Sequence, residues 1–416
     1  MQSARSILRD PRTIGVAQAG PRTAAFLARS WVSSRVPGAE ANRPTIGLAA
    51  QVLLDEVLMA AMKNPRLFPS DDDYVRAGRD IAAAHEMWSE RGWLAQPERY
   101  HRDPDVPMGC MVARERALNV SYEHLTFPSG YEPHPDEPGR DRWLSYEANR
   151  TAHAWVVRAR QQGRPWLLCV HGWGMGSPLM DLRAFRARRL ARELGVNLLV
   201  PVLPLHGPRQ RPGANGGEGF MTIDLIDSLH GFAQAAWDIR SAIRWIRFHE
   251  PDAAVGIYGL SLGGYTAALT ASLEDDLACV IAGIPATDLV DLYRRHSPPR
   301  VRRKASESGA LGPKAVAVHR VVSPLVLEPK PARERRFLFA GVGDRMSTSR
   351  QARRLWEHWD RPEMAWYSGG HVGFFFAGQI NRFVEDALAQ SGLIVREREA
   401  PLSLTSSTEA EAEAER

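Results

Sequence analysis

Short apolar runs recur at regular intervals from residue 153 to residue 367. They occupy residues 153–157, 166–170, 198–203, 255–258, 279–284, 337–340 and 364–367. Helix-period segments fit between them, one at 179–194 before Gly195 and a longer one with an apolar stripe of Leu225, Leu229, Phe232, Ala236, Ile239, Ile243 and Ile246. This alternation is typical of a buried, mostly parallel sheet covered by helices. The sequence therefore predicts an α/β fold.

The first 117 residues carry helical signals and little strand signal. Apolar side chains recur at helical spacing at Ile46, Ala50, Leu53, Val57 and Ala60. Gln51 and Asp55 share the polar side of this helix, and Ser70 is a good N-cap for a second helix. We therefore predict a helical N-terminal extension over 1–117, an α/β domain over 118–393 and a disordered acidic tail over 394–416, where Ser/Thr and Glu-Ala alternation leaves nothing to bury.

One motif in the α/β domain carries nucleophile chemistry. Gly259-x-Ser261-x-Gly263 follows an apolar run directly and precedes an Ala-rich helix. A strand that turns abruptly into a helix holds the serine in a strained conformation, and glycines two residues to either side leave room for the turn. The backbone N–H of Leu262 then lies at a helix N-terminus, where a developing oxyanion is favoured. Ser261 is the predicted nucleophile.

Polar residues follow three other predicted strands. His171-Gly-Trp-Gly-Met-Gly176 follows the run 166–170, Asp344 follows 337–340, and His371 follows 364–367. Ligands and catalytic groups collect at the carboxyl ends of strands in open α/β sheets, so these residues can converge on Ser261. The order Ser, Asp, His and the His-Gly loop resemble the α/β-hydrolase superfamily over residues 118–393.

The resemblance assigns roles to these residues. It implies that His371 is the general base and Asp344 the carboxylate that orients it, with Asp288 and Asp291 as alternative acids. It also implies an α/β-hydrolase fold in which Trp173, or alternatively Gly174, donates the second oxyanion N–H while His171 is structural. No cofactor and no metal are expected, because His-x-x-x-His and carboxylate clusters at ligand spacing are absent from the sequence.

The implied activity is hydrolysis of carboxylic esters, including thioesters and lipid esters, through an acyl-enzyme on Ser261. Superfamily members that open epoxides or displace halide carry aspartate at the nucleophile position, so those reactions are not expected. Three alternatives stay open: acyl transfer with the same triad, a peptidase, and a binding protein that keeps the fold without catalysis. The expected partner is a small-molecule acyl ester.

Composition limits the other partners. The formal net charge is +5, but the arginines are scattered and do not form a basic arm, so nucleic-acid binding is not predicted. Three isolated cysteines indicate a reduced protein, and the N-terminus lacks an export signal, so a cytoplasmic location is expected. No apolar stretch is long enough to span a membrane. Peripheral membrane contact and the oligomeric state are left open.

Two segments are predicted to border the site. The connection 287–334 is too long for a simple loop and is expected to form a lid; its basic residues are read as a solvated face. The glycine-rich segment 207–219 follows a strand and is expected to lie at the same rim.

Overall fold

The computed structural model of this protein describes residues 10–33, 44–62, 69–117, 119–214, 216–222 and 224–395. Within these ranges a single nine-stranded sheet forms the centre of the molecule. Its strands, β1 to β9, are Met111–Ala117, Val120–Pro128, Thr151–Val157, Trp166–Val170, Asn197–Pro201, Val255–Leu260, Leu277–Gly283, Arg336–Gly341 and Glu363–Tyr367.

Helices cover both faces of this sheet, and others pack on those helices or on its loops. The α-helices α1 to α12 are Pro11–Ser33, Ile46–Met62, Asp71–Glu90, Arg140–Leu144, Pro178–Ala184, Leu225–His249, Leu262–Ala271, Leu289–His296, Pro299–Glu307, Pro313–His319, Thr348–His358 and Gly378–Gln390. Successive side chains of a strand point to opposite faces, so Leu168 belongs to the core on one face while Leu167 and Cys169 belong to the core on the other.

The sheet is mostly parallel, as predicted. Its strand order is β1-β2-β3-β5-β4-β6-β7-β8-β9. The strands from β5 to β9 along this order pair in parallel, whereas β1, β2 and β3 pair antiparallel at one edge. The carboxyl ends of β4, β6, β8 and β9 therefore meet at one edge of the sheet, which is where the predicted site residues follow.

All seven apolar runs are strands, with ends that differ by a few residues. The structure also contains two strands that the apolar pattern did not predict. β1 lies inside the range predicted to be helical. Its Arg and Glu side chains are exposed, so it has no apolar pattern, and it is held by backbone pairing with β2 and by the contacts of Glu115 with Tyr122 and His124. In β2, Leu125 and Phe127 are buried in the core on one face of the sheet and Tyr122 in the core on the other, while the residues between them are more exposed.

Two local predictions need correction. The helix predicted over 179–194 ends at Ala184, because Arg186 adopts φ 49°; a short π-helical turn, Arg189–Glu193, follows. Ile394 was assigned to the tail but is buried against the core. The rest of the tail, from residue 396 onward, lies outside the described residues.

Two of the N-terminal helices form where the sequence predicts them. α2 contains the predicted periodic positions from Ile46 to Ala60, and α3 begins after Ser70, whose side chain accepts the Asp73 N–H in a capping box. α1 crosses α2 so closely that a Cβ at Gly15 would lie 2.7 Å from the Cβ of Ala60. Within the described ranges, no helix combines the length and the apolar composition that a membrane span requires.

Candidate active site

Ser261 occupies a sharp turn between β6 and α7. Its φ is 57° and its ψ is −113°, a conformation that non-glycine residues rarely adopt. A Cβ at Gly259 would lie 1.9 Å from the carbonyl oxygen of Gly263, and a Cβ at Gly263 would lie 1.9 Å from that of Val170. The turn therefore requires glycine at both positions, as the motif predicts, and it projects the serine beyond the end of the strand.

The structure brings the three predicted side chains together. His371 Nε2 lies 3.0 Å from Ser261 Oγ, and His371 Nδ1 lies 2.7 Å from Asp344 Oδ2. The other carboxylate oxygen of Asp344 accepts the backbone N–H groups of Met346 at 2.8 Å and Ser347 at 2.9 Å. Because Asp344 is held as an acceptor, Nδ1 of His371 carries the proton and Nε2 is free to accept the serine hydroxyl proton.

Burial and charge act in opposite directions on the pKa of His371. Burial lowers the pKa of His371, but the nearby carboxylate of Asp344, its hydrogen bond to the ring and the charge of Asp55 more than offset this effect, so the pKa of His371 is raised above its ordinary value. The carboxylates therefore favour the imidazolium that would form when the ring takes a proton.

The loop after β4 runs beside the serine. A Cβ at Gly172 would lie 3.6 Å from the Cβ of Ser261, and the Trp173 indole donates to the Gly217 carbonyl at 2.9 Å, which fixes the loop. In the part of the chain that the structure describes, the backbone N–H groups of Trp173 and Leu262 donate to no acceptor. Both remain available to an oxygen bound at Ser261.

His171 has a structural environment, as expected. It is fully buried, and its Nε2 accepts the backbone N–H of Leu203 at 3.1 Å. Its Nδ1 therefore carries the proton and donates to the Gly172 carbonyl at 2.9 Å. Both ring nitrogens are occupied, so this histidine fixes the loop that leads to Trp173.

A pocket of about 620 Å³ opens above Ser261. One wall is largely apolar and comes from three parts of the chain: α2, the predicted lid and the segment near 221. Its residues are Met59, Met62, Met221, Leu292, Tyr293 and Val301. Residues 211, 217, 218 and 219 of the glycine-rich segment also line the pocket. The segments predicted to border the site do so.

A network of charged side chains also lines the pocket. Arg142 lies 2.7 Å from Asp227 and 3.3 Å from Asp80, and Arg76 pairs with Asp224 and Asp73. The Tyr146 hydroxyl donates to Asp227 at 2.9 Å. Two guanidinium groups are shared among four carboxylates here, so both arginines are held in ion pairs and this part of the pocket lining is polar.

Sequence comparison assigns the family. Residues 165–367 match the family model of the α/β hydrolase fold. Two proteins of Mycobacterium tuberculosis, the uncharacterized proteins MT2702 (strain CDC 1551 / Oshkosh) and Rv2627c, are each 42% identical over 376 residues, or 89% of this chain and 90% of theirs. The chain belongs to the α/β-hydrolase superfamily. Among solved structures this α/β hydrolase is similar to an acetyl xylan esterase from Paenibacillus sp. R4, with a TM-score of 0.48 and 16% identity over 70% of this chain and 98% of that one.

The two alternative acids of this α/β hydrolase, Asp288 and Asp291, bind partners other than His371. Asp288 caps α8 by accepting the Asp291 N–H at 2.9 Å and pairs with Arg354 at 2.6 Å. Asp291 accepts from Gln351 Nε2 at 2.9 Å and pairs with Arg350. Neither carboxylate contacts His371. In the described ranges, no three His, Cys, Asp or Glu side chains cluster in a way that could hold a metal ion.

The predicted lid of the hydrolase packs on the N-terminal extension. Lys304 of α9 pairs with Asp71 of α3, and a Cβ at Gly78 of α3 would lie 1.9 Å from the Ser308 carbonyl oxygen. Part of the basic stretch binds main chain: Arg294 donates to the Leu311 carbonyl at 2.6 Å. Basic side chains of the predicted lid therefore form structural contacts, within it and to the N-terminal extension, in addition to facing solvent.

On the polar side of α2 lie residues of the candidate site that the sequence did not predict. Asp55 and Glu56 are almost fully buried, whereas the helical pattern assigns Asp55 only to a polar side. Asp55 Oδ2 accepts the backbone N–H of His371 at 2.7 Å and that of Arg345 at 3.0 Å. Burial raises the pKa of Asp55 to about 6, and the charge of Asp344 adds to this effect. The available signal was polar residues within an otherwise apolar helix.

Proposed function

We propose that this α/β hydrolase cleaves carboxylic esters through an acyl-enzyme on Ser261. The observation that carries the proposal is the continuous hydrogen-bonded relay at the pocket floor: Ser261 Oγ lies 3.0 Å from His371 Nε2, and His371 Nδ1 lies 2.7 Å from Asp344 Oδ2. A serine hydroxyl is a weak nucleophile until an adjacent base accepts its proton, and this relay supplies that base in the required orientation.

In the first half-reaction the Oγ of Ser261 attacks the ester carbonyl carbon while its proton passes to His371 Nε2. The carbonyl oxygen becomes an oxyanion, and the N–H groups of Leu262 and Trp173 are the donors that stabilise it. When the carbon–oxygen bond to the leaving group breaks, His371 returns the proton to the departing alkoxide. The products are an alcohol and the acyl ester of Ser261.

In the second half-reaction water takes the place of the alcohol. His371 Nε2 accepts a proton from the water as its oxygen attacks the acyl carbon, and the same donors stabilise the second oxyanion. Collapse breaks the bond to Ser261 Oγ and the imidazolium returns its proton to the serine. The carboxylic acid leaves, and Asp344 stays ionised throughout because it stabilises the imidazolium without accepting its proton.

The pocket supports an acyl group of moderate size. Flexible methionines, Met59 and Met62 from α2 and Met221, line it together with Leu292 and Val301. An apolar lining of this kind accommodates an aliphatic chain, while the ion-paired Arg and Asp side chains offer hydrogen-bonding groups to a polar leaving group. We therefore propose esters with an apolar acyl part and a polar alcohol part.

The proposal is tested with p-nitrophenyl esters of increasing acyl length and with a fluorophosphonate that labels activated serines. The wild-type protein is expected to hydrolyse the esters and to take up one label, and Ser261→Ala is expected to lose both. Ser89→Ala, on the exposed end of α3, serves as the control. Label uptake that survives Ser261→Ala would count against the proposal, and product analysis with added alcohols separates hydrolysis from acyl transfer.

A further inference from the structure

Helix α2 lies outside the region that matches the family model, yet it contacts both catalytic loops. Asp55 Oδ2 accepts the N–H of Arg345, the residue after Asp344, at 3.0 Å and the N–H of His371 itself at 2.7 Å. One turn earlier, Gln51 Oε1 accepts the N–H of Gly370 at 3.0 Å. A single face of α2 therefore ties the loop after β8 to the loop after β9.

The catalytic loops leave no room for a side chain where α2 approaches. A Cβ at Gly370 would lie 2.9 Å from Asp55 Oδ2 and 2.9 Å from the backbone oxygen of Gln51. A Cβ at Gly343, one residue before Asp344, would lie 2.6 Å from Leu48 Cδ1. Glycines next to both catalytic residues are thus explained by contact with α2, a role separate from turn formation.

Burial of a carboxylate at the position of Asp55 is energetically unfavourable. Asp55 is fully buried, and burial of an ionised group costs several kcal/mol unless hydrogen bonds compensate it. Its Oδ1 has no hydrogen-bond partner within the described residues. An apolar residue would pack there without that cost, but it could neither accept two backbone N–H groups nor place negative charge beside the imidazole.

We infer that Asp55 is a positioning residue for the catalytic base, and that the N-terminal helices complete the active site of the hydrolase. Asp55 fixes the main chain of His371 and of the residue after Asp344, so the ring stays between Ser261 and Asp344. Its charge also stabilises the imidazolium formed during attack. The inference rests on the proposed function, because it assigns the base role to His371.

The charged and titratable groups around Asp55 come from three elements. Asp344 and Arg345 face it from the loop after β8, and His371 and Tyr367 from β9 and its loop. On α2 itself Glu56 is the neighbouring carboxylate, and it pairs with the Arg345 side chain at 2.9 Å. Glu56 therefore offers a matched control: it is buried, adjacent and ionic, but it accepts no N–H from His371.

The test compares Asp55→Asn, Asp55→Ala and Glu56→Gln in the full chain. Asp55→Asn keeps an acceptor oxygen but removes the charge, so the acid limb of kcat/KM is expected to move to lower pH. Asp55→Ala removes both the acceptor oxygen and the charge. It is expected to lower kcat/KM by roughly tenfold to a hundredfold, because the imidazole of His371 is then misplaced. Glu56→Gln is expected to loosen α2 without moving the acid limb.

A second readout does not depend on turnover. The Nδ1 proton of His371, hydrogen-bonded to Asp344, gives a downfield NMR signal that is assigned by its loss in His371→Gln. Its titration midpoint is expected to fall in Asp55→Asn and to stay in place in Glu56→Gln. Should Asp55→Asn not fold, Asp55→Ser, whose hydroxyl can accept one of the two N–H groups, carries the same test.

The outcomes separate the two proposals. An unlabelled, inactive wild-type protein would overturn the proposed function. An active wild type whose acid limb and Nδ1 titration are the same in Asp55→Asn would overturn the positioning role while the hydrolase assignment stands. An equal shift of the acid limb and of the Nδ1 titration midpoint in Glu56→Gln would also overturn the positioning role, because the effect would then come from the docking of α2 in general.

Discussion

Asp55→Asn is expected to change how the stability of the protein depends on pH. Burial raises the pKa of Asp55 from its ordinary 3.8 to about 6 in the folded protein. The stability it contributes is therefore present below about pH 4 and is lost as pH rises through about 6. Because one pKa unit corresponds to about 1.36 kcal/mol, the change amounts to about 3 kcal/mol by pH 7. The pKa of His371 is also raised in the folded protein, so the stability that this residue contributes is likewise lost as pH rises, in a higher pH range.

The assay is urea unfolding of wild type and Asp55→Asn across the range from about pH 4 to pH 7. Relative to wild type, the variant should gain about 3 kcal/mol of unfolding free energy over this range, because asparagine carries no proton linkage. Gln51→Ala, which removes the neighbouring acceptor without removing a charge, should differ from wild type by a constant amount. A constant difference for Asp55→Asn as well would refute the reasoning about this buried carboxylate.

Three further predictions concern the turn, the acid and the base. Gly263→Ala should destabilise the protein by about 3 kcal/mol or more, because its Cβ would lie 1.9 Å from the Val170 oxygen. The control Gly20→Ala, in open space on α1, should be neutral or stabilising, and thermal melts of the two variants measure the difference. Asp344→Asn should slow ester hydrolysis roughly 10⁴-fold in kcat, and a loss below about tenfold would contradict its role. The acid limb of kcat/KM should lie above 6.5, the ordinary pKa of histidine, since activity needs neutral His371; a limb at or below that value would contradict the charge effect of the two carboxylates.

Most of the parallel part of the sheet was predictable because its strands, apart from the edge strand β9, are buried on both faces. Trp166–Val170 has no exposed residue, so its apolar run is continuous and visible in the sequence. β1 is the opposite case. Its Arg and Glu side chains are exposed, and the contacts that hold it are its backbone pairing with β2 and the bonds of Glu115 to Tyr122 and His124, which no apolar pattern in the sequence records. Edge strands of this kind depend on their neighbours rather than on their own composition.

The candidate site divides in the same way. Ser261, Asp344 and His371 follow strand ends and carry local motifs, so their convergence could be predicted from topology. Asp55 has no such motif, and its contact with His371 joins residues 316 positions apart. Helical periodicity separates a polar side from an apolar side, but it does not tell whether water or a catalytic loop covers the polar side. Only the packing of α2 in the folded structure shows that a catalytic loop covers this side.

The most direct measurement is mass spectrometry of the protein quenched during turnover of a p-nitrophenyl ester. Peptide mapping should locate the acyl group on Ser261, and the adduct should disappear in Ser261→Ala. Turnover of the ester with no acyl adduct on Ser261 and with full activity in Ser261→Ala would contradict the account.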